Sequence, residues 1–185
     1  VTHRRSGTEI KNPVDAVAHK MAYVSKDRDK EGIILNATIR DNISVPSFDI
    51  LSGTAGFISS KDEEKLSAEQ IEVMSIKCRN SRQLVSELSG GNKQKVVFAK
   101  WLARECDIFI LDCPTRGIDI GVKAAMYQLI YQLKLQGKGI LMISEELPEL
   151  IGMSDRIVLM KDGKISKEIM RDPSVTEQTV IDYII

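Results

Sequence analysis

The sequence lacks several features that would point to a specialised class of protein. Its three cysteines, Cys78, Cys106 and Cys113, have no C-x-x-C or metal-ligand spacing, which favours reduced thiols in a cytosolic protein. Lys plus Arg and Asp plus Glu number 26 each, so no net charge attracts nucleic acid or an anionic membrane. No apolar run approaches the roughly 20 residues of a membrane span. The N-terminus does not have the pattern of a secretory signal peptide.

The composition is that of an ordinary globular protein. The chain has 185 residues, of which 43% are hydrophobic and 28% charged, enough to bury a core as one domain. Short apolar runs typical of buried parallel strands alternate with helical patterns, which predicts an α/β fold. The predicted strands are Met21–Val24, Asp107–Leu111 and Gly139–Ser144. We expect the second of these to be buried on both faces, because its apolar run is continuous.

Helix and turn signals occupy the rest of the chain. Asn12 and Pro13 have the residue types of an N-cap and a first helical position, and Asp162-Gly163 predicts a hairpin turn. The stretch Ser47–Ser60, rich in Gly, Ser and Thr, is predicted to be a mobile loop. The predicted helices are Pro13–Lys20, Thr38–Val45, Lys61–Ile76, Lys93–Trp101, Gly121–Leu135 and Pro173–Ile185. The predicted hairpin strands are Arg156–Met160 and Lys164–Ile169.

The stretch Leu88–Lys95 is the strongest local signal for a binding site. It reads Leu-Ser-Gly-Gly-Asn-Lys-Gln-Lys, which predicts a tight turn at the start of a helix. The first amides of a helix have no partner within it, and the helix dipole adds positive charge, so such a turn binds anions. Glycine also allows a phosphate to approach the backbone closely. The alternative is a Gly-rich turn that is only capped by Ser89.

The apolar run Ile108–Leu111 ends in Asp112 and Cys113. A carboxylate at the end of a parallel strand is placed to hold hydrated Mg²⁺, although a turn or cap role is the alternative. The Cys113 thiol is a poor general base, because it accepts hydrogen bonds weakly and is mostly protonated at neutral pH. A nucleophilic role would need a histidine nearby, and His3 and His19 lie far away in the sequence.

Together these motifs resemble those of the ABC transporter ATPases. Leu88–Lys95 resembles the signature motif, Ile108–Asp112 the Walker B strand, and Pro114–Asp119 the D-loop. Three further stretches resemble the second nucleotide-binding half of bacterial sugar-import ATPases: Tyr23–Arg28, Ile143–Leu150 and Gly152–Ile157. The resemblance implies a partial P-loop NTPase core, a mostly parallel sheet flanked by helices. It assigns residues 1–35 and 95–185 to this core and residues 36–94 to a helical subdomain that carries the signature.

The resemblance also implies the roles of individual residues. In this family the signature of one cassette caps the ATP held by the other cassette. The implied site residues are Ser89, Gly90, Gly91 and Asn92 for nucleotide binding in trans, Lys26 and Asp27 in the Q-loop, Asp119 in the D-loop, and Asp112 for Mg²⁺.

Three residues depart from the family pattern. Lys26 stands where most ABC ATPases have Gln and the sugar-import second halves have Glu. Cys113 replaces the usual catalytic Glu, and Glu145 replaces the usual His, which the sugar-import second halves also lack. No catalytic residue is therefore expected to be intact. No G-x-x-x-x-G-K-[ST] motif occurs. We expect the P-loop to precede Val1 in a longer two-cassette polypeptide, and this chain alone to hydrolyse and bind ATP poorly.

The implied function is the ATP-binding component of an importer for a sugar or similar small solute. The implied partners are a second cassette, either the N-terminal half of the same polypeptide or another copy, and a transmembrane permease. A periplasmic or extracellular sugar-binding protein is an indirect partner, and nucleic acid is not expected. The implied location is peripheral, on the cytoplasmic face of a bacterial membrane. The alternatives are a non-hydrolysing structural or regulatory cassette and a soluble ABC ATPase without a permease.

Overall fold

The computed structural model describes residues 2–3, 8–53 and 56–184. These residues divide into two compact units, residues 1–141 and residues 142–185, with the boundary inside the last strand of the parallel sheet. The elements, in chain order, are β1 (Thr2–His3), β2 (Thr8–Glu9), α1 (Pro13–Ala18), β3 (Met21–Val24), a π turn (Arg28–Gly32), α2 (Ile39–Ser44), α3 (Phe48–Leu51), α4 (Ser60–Val73), α5 (Gly90–Ala103), β4 (Ile108–Asp112), α6 (Ile120–Leu135), β5 (Gly139–Ile143), α7 (Leu147–Met153), β6 (Arg156–Lys161), β7 (Lys164–Met170) and α8 (Glu177–Ile181).

The central sheet has the strand order β3-β4-β5. Strands β3 and β4 are parallel, with Met21 opposite Ile108 and Val24 opposite Leu111. This pairing places the residues that follow the two strands at the same edge of the sheet, where α/β proteins bind their ligands. The predicted α/β class and the three predicted strands are therefore confirmed.

The sheet is not buried equally on its two faces. Phe109 and Leu111 of β4 are fully buried, but Ile110 is only half-buried. Tyr23, which pairs with Ile110, is 47% exposed. The expectation that β4 is buried on both faces is therefore wrong, because the described elements do not fully cover the row that contains Tyr23 and Ile110.

Helices α2 and α4, which lie between β3 and β4 in the sequence, pack against α5. Helix α2 begins with a capping box, in which Thr38 Oγ1 accepts a hydrogen bond from Asp41 N at 3.1 Å and Asp41 Oδ2 accepts one from Thr38 N at 3.1 Å. Helices α2, α4 and α5 contact one another. The predicted helix Thr38–Val45 is confirmed, and a 3₁₀ turn over Val45–Ser47 follows it.

The segment predicted to be a mobile loop contains a helix. Residues Phe48–Leu51 form α3, and Asp49 within it binds the guanidinium of Arg104 just after α5, with Arg104 Nη2 donating to Asp49 Oδ2 at 2.8 Å. The prediction of a loop over Ser47–Ser60 is therefore wrong in its first part, and residues 54 and 55 lie outside the described residues. A contact 55 positions away in the sequence leaves no local signal.

The unit of residues 142–185 is built around the hairpin β6-β7. Its strands are antiparallel, and Asp162 and Gly163 both have positive φ, as the predicted turn requires. Ile157 and Leu159 of β6 pack with Val180 of α8 in a small core. Helix α8 is shorter than the predicted Pro173–Ile185. No helix within the described ranges is long and apolar enough to cross a membrane.

Candidate nucleotide-binding site

The turn Ser89–Asn92 starts helix α5 and is ordered by its own side chains. Ser89 is the N-cap, and its Oγ accepts hydrogen bonds from Asn92 N at 3.4 Å and from Asn92 Nδ2 at 3.1 Å. Asn92 Oδ1 accepts one from Lys77 N at 2.9 Å. Ser89 is exposed, Gly90 and Asn92 are half-buried and Gly91 is buried. The hydroxyl of Ser89 is therefore the part of the turn most open to a ligand.

Both glycines of the turn lie against other residues of the same chain. A Cβ on Gly91 would lie 2.8 Å from Cγ2 of Val122 and 3.4 Å from Oδ2 of Asp119. A Cβ on Gly90 would lie 2.9 Å from Nη2 of Arg28, the end of a flexible side chain. The space left by the absent side chains, which the sequence predicts to be open to a phosphate, therefore faces neighbouring residues of the same chain.

The predicted D-loop lies beside this turn. Asp119 caps helix α6, with its Oδ1 accepting a hydrogen bond from Val122 N at 2.9 Å. The guanidinium of Arg28 donates to Arg116 O at 3.1 Å and to Gly117 O at 3.4 Å. Arg28 therefore contacts the predicted D-loop and the predicted signature at the same time.

The predicted Q-loop is partly a compact π turn. Asp27 N donates to Ser25 Oγ at 3.2 Å, Ser25 Oγ donates to the Glu31 carboxylate, and Asp27 Oδ2 lies 3.2 Å from Lys30 Nζ. Lys26, like Asp27, is half-buried. The sequence predicted only a polar segment here, because a π turn has no composition signal of its own.

Asp112 and Cys113 lie at the carboxyl end of β4, at the edge of the sheet where the parallel strand β3 also ends. Tyr23 OH donates to Asp112 Oδ2 at 3.4 Å, and burial, together with the Asp112 charge, raises the pKa of Tyr23. Cys113 is buried and has a φ of +46°, a left-handed conformation that costs a non-glycine residue free energy. The next residue, Pro114, accepts a hydrogen bond through its carbonyl from Nε2 of the buried Gln94 at 2.7 Å. This bond joins α5 to the end of β4.

Asp112 fits a metal that keeps most of its ligands as water and phosphate. Within the described residues no group of three or more His, Cys, Asp and Glu side chains is arranged to hold a metal ion. Mg²⁺ is commonly held in this way, by one or two carboxylates together with substrate phosphates. A lone, half-buried carboxylate is compatible with that binding mode.

The structure does not bring all the predicted residues together. The signature residues Ser89–Asn92 form one turn, and Asp119 lies next to Gly91 in that turn. Glu145 is exposed and belongs to the unit of residues 142–185. Sequence reasoning included Arg28 and Gln94 only as members of family-like stretches, and it missed their hydrogen bonds to backbone carbonyls, which no side-chain pattern reveals.

Comparison with known proteins agrees with these motifs. Residues 3–116 match the family model described as ABC transporter. The chain is 42% identical over 172 residues to the ribose import ATP-binding protein RbsA of Geobacillus kaustophilus, covering 93% of this chain and 34% of that protein. It is 40% identical over 189 residues to RbsA of Shouchella clausii, covering 98% and 38%. The chain thus spans about a third of the length of these relatives.

Solved structures support the fold independently. The ATP-binding cassette MJ0796, in a dimeric post-hydrolysis state bound to ADP and Pi, matches with a TM-score of 0.73, covering 90% of this chain and 70% of that one. The cassette MJ1267 of an ABC transporter matches with a TM-score of 0.74, covering 94% and 71%. Identities of 21% and 16% limit these matches to the fold. With the family match extending from residue 3 to residue 116, the chain belongs to the ABC transporter family.

Proposed function

We propose that this chain is an ATP-binding component of an ABC importer for ribose or a similar sugar. The named relatives are ribose import ATP-binding proteins, and the similarity extends over more than nine-tenths of the chain. The proposed partners are a second cassette and a transmembrane permease, with a sugar-binding protein acting through the permease. The proposed location is the cytoplasmic face of the membrane.

The chain's main contribution in this proposal is the signature turn, offered to ATP that the second cassette holds. The observation that carries it is the exposed Ser89 hydroxyl at the N-terminus of α5, held in place by Asn92. Helix α5 has 14 residues, so its dipole favours a negative charge at this end. Asp119 stands next to the turn and belongs to the same proposed surface.

The chain's own nucleotide site is proposed to be a poor catalyst. A buried Cys113 thiol cannot accept the proton of an attacking water as a carboxylate does. Asp112 would hold Mg²⁺ beside the phosphates of ATP, which supplies the phosphoryl group that is transferred to water. Lys26 and Asp27 in the Q-loop, and Glu145 after β5, complete the set of proposed positions. The division into a core (1–35 and 95–185) and a helical subdomain (36–94) remains part of this proposal.

The test measures ATP hydrolysis by the assembled importer with Ser89→Ala and, as a control, Ser86→Ala. Ser86 is also exposed and lies just before the turn, but it is not its N-cap. We expect Ser89→Ala to lower the hydrolysis rate by about 100-fold, the lower end of the range for loss of one preorganised hydrogen-bond donor to a developing charge. Ser86→Ala should leave it within about twofold of the parent. Equal rates for the two variants would contradict the proposal.

A further inference from the structure

The side chain of Arg28 connects three segments that are far apart in the sequence. Arg28 is the first residue of the π turn Arg28–Gly32, and its side chain is 19% exposed. Its Nη1 donates to Arg116 O at 3.1 Å and its Nη2 to Gly117 O at 3.4 Å. The same Nη2 lies 2.9 Å from the point where a Cβ on Gly90 would stand. The guanidinium therefore fills the space between the signature turn and the D-loop.

The π turn that carries Arg28 is itself fastened to helix α5. Lys93 Nζ lies 3.3 Å from Asp29 Oδ2, and Lys100 Nζ donates to the carbonyl of Gly32. Between these two contacts, a Cβ on Gly32 would stand 3.4 Å from Cγ2 of Val97. Positions 93, 97 and 100 share one face of a helix. The backbone of the turn is thus held along two turns of α5.

This arrangement fixes the direction in which Arg28 reaches the D-loop. The two lysine contacts and the packing of Gly32 on Val97 favour one position of the π turn along α5, and therefore one origin of the guanidinium relative to the signature turn. A guanidinium is a planar fork with several N–H donors, so it can bind two successive carbonyl oxygens at once. The Lys ammonium is a compact point charge on a flexible stem and does not reproduce that geometry. The backbone at Gly117, with a φ of +67°, forms the bend that presents its carbonyl.

We propose that Arg28 is a positioning residue that sets the spacing between the signature turn (Ser89–Asn92) and the D-loop (Pro114–Asp119). Both segments then meet a second cassette as one preformed surface. The inference rests on the proposed function, because a fixed spacing matters for hydrolysis only if these two segments act on ATP held by another cassette. Arg28 acts through the backbone of the D-loop and not on the nucleotide itself.

The test compares Arg28→Ala and Arg28→Lys in the assembled importer. The control is Arg156→Ala, which removes an arginine bound to Glu168 on the hairpin of the other unit. We expect both Arg28 variants to lower kcat for ATP by about 10- to 100-fold, the effect of a misplacement near 1 Å. The KM for ATP should stay within about twofold, since ATP is held by the second cassette. The lysine variant should not restore kcat, because it cannot bind both carbonyls.

Hydrogen exchange on this chain supplies a second readout that does not depend on activity. Both Arg28 variants should speed exchange of the amides from Arg116 to Asp119 by about tenfold or more, while amides of the β6-β7 hairpin stay unchanged. Arg28→Lys keeps the charge and most of the volume, so it carries the test if Arg28→Ala does not fold. Full kcat in Arg28→Lys, or unchanged exchange in the D-loop, would overturn the inference.

The two proposals fail in different ways. If Ser89→Ala lowers hydrolysis but Arg28→Ala does not, the positioning role is wrong and the proposed function stands. If neither variant lowers hydrolysis, the proposed function is wrong. If kcat falls only in proportion to the amount of folded protein, Arg28 has a structural role alone and the inference is wrong.

Discussion

The signature turn and the end of strand β4 differ in how their side chains are used. At the turn, the exposed Ser89 and the half-buried Asn92 hold each other in place and leave a hydroxyl at the surface. At the strand end, the residue after Asp112 is a buried thiol on a left-handed backbone. Gln94 joins the two regions through the carbonyl of Pro114. Under the proposed function, this contrast means that the chain keeps the groups it offers to a second cassette, whereas the thiol after Asp112 makes its own nucleotide site a poor catalyst.

Substitution of Gly91 should have the largest effect. Gly91→Asp would force a side chain against Val122 and bring a second carboxylate near Asp119. We expect ATP hydrolysis by the assembled importer to fall by more than about 100-fold, because the turn and the D-loop would both be displaced. Gly152→Asp in α7 is the matched control, since Gly152 is exposed and nothing lies within 4 Å of the position of its new Cβ. Equal losses in the two variants would show that local packing does not distinguish the glycines.

Lys100, on helix α5, predicts how the free energy of unfolding changes with pH. Burial lowers the pKa of Lys100 to about 8 from its ordinary 10.5. Between these values the unfolded chain holds a proton that the folded chain has released, so the free energy of unfolding rises with pH. The rise amounts to at most about 3 kcal/mol. Lys100→Met should remove it, as urea unfolding at pH 7.5 and pH 10 would measure.

The buried thiol of Cys106 acts in the opposite direction over part of this range. Burial raises its pKa to about 11 from 9.0, so between these values the folded chain keeps a proton that the unfolded chain has lost, and stability falls with rising pH. The difference between the parent and Lys100→Met cancels this contribution. An identical pH dependence in both proteins would contradict the role given to Lys100.

Asp49 tests whether the far end of α5 matters for the signature turn. Asp49→Ala leaves the 8% exposed Arg104 without its carboxylate. Because Asp49 itself is 66% exposed, we expect a loss of only about 1–2 kcal/mol in the free energy of unfolding, below the range for fully buried pairs. Thermal or urea unfolding measures the loss of stability. Hydrogen exchange of the amides from Gly90 to Asn92 shows whether the loss extends to the signature turn. A loss of hydrolysis without a loss of stability would contradict a purely structural role.

The Asp49–Arg104 ion pair also predicts that the free energy of unfolding depends on pH in the acidic range. The Arg104 guanidinium holds the pKa of Asp49 below its usual value. The pair therefore stabilises the fold above the ordinary pKa of a carboxyl, near 4, and this contribution is lost as the pH falls through the lowered value. Asp49→Ala should flatten the stability curve in that acidic window, and should shift it uniformly above pH 5.

Cys113→Ala should have the smallest effect. A buried thiol that accepts no proton can be removed with little loss of chemistry, so hydrolysis by the assembled importer should stay within about twofold of the parent. The expected change in stability is also small, because both residues experience the strain of a positive φ. Asp112→Asn is the companion variant and reports on the proposed Mg²⁺ carboxylate. A larger loss from Cys113→Ala than from Ser89→Ala would reverse the comparison.

Sequence reasoning predicted the elements whose signals are local. The cap at Asn12, the hairpin turn at Asp162-Gly163 and the parallel strands each depend on residues within a few positions of one another, and each is confirmed. The helix at Phe48–Leu51 was missed, and its ion pair joins Asp49 to a residue 55 positions away, a contact that no local pattern indicates.

The candidate site shows the same limit. Ser89 and Asn92 could be identified from their order along the chain. The hydrogen bonds of Arg28, by contrast, join it to carbonyls 88 and 89 positions away. Any residue has a carbonyl, so the identity of Arg116 and Gly117 contains no information about this contact. The packing of Val122 against Gly91 was missed for a similar reason, since an apolar side chain in a helix does not name its neighbour.

A structure of the assembled importer with a slowly hydrolysed ATP analogue would test the central claim most directly. The account predicts that an oxygen of the γ-phosphate held by the second cassette lies about 3 Å from Ser89 Oγ, the distance of a hydrogen bond. A turn Ser89–Asn92 that faces solvent or the permease, with no nucleotide beside it, would contradict the account.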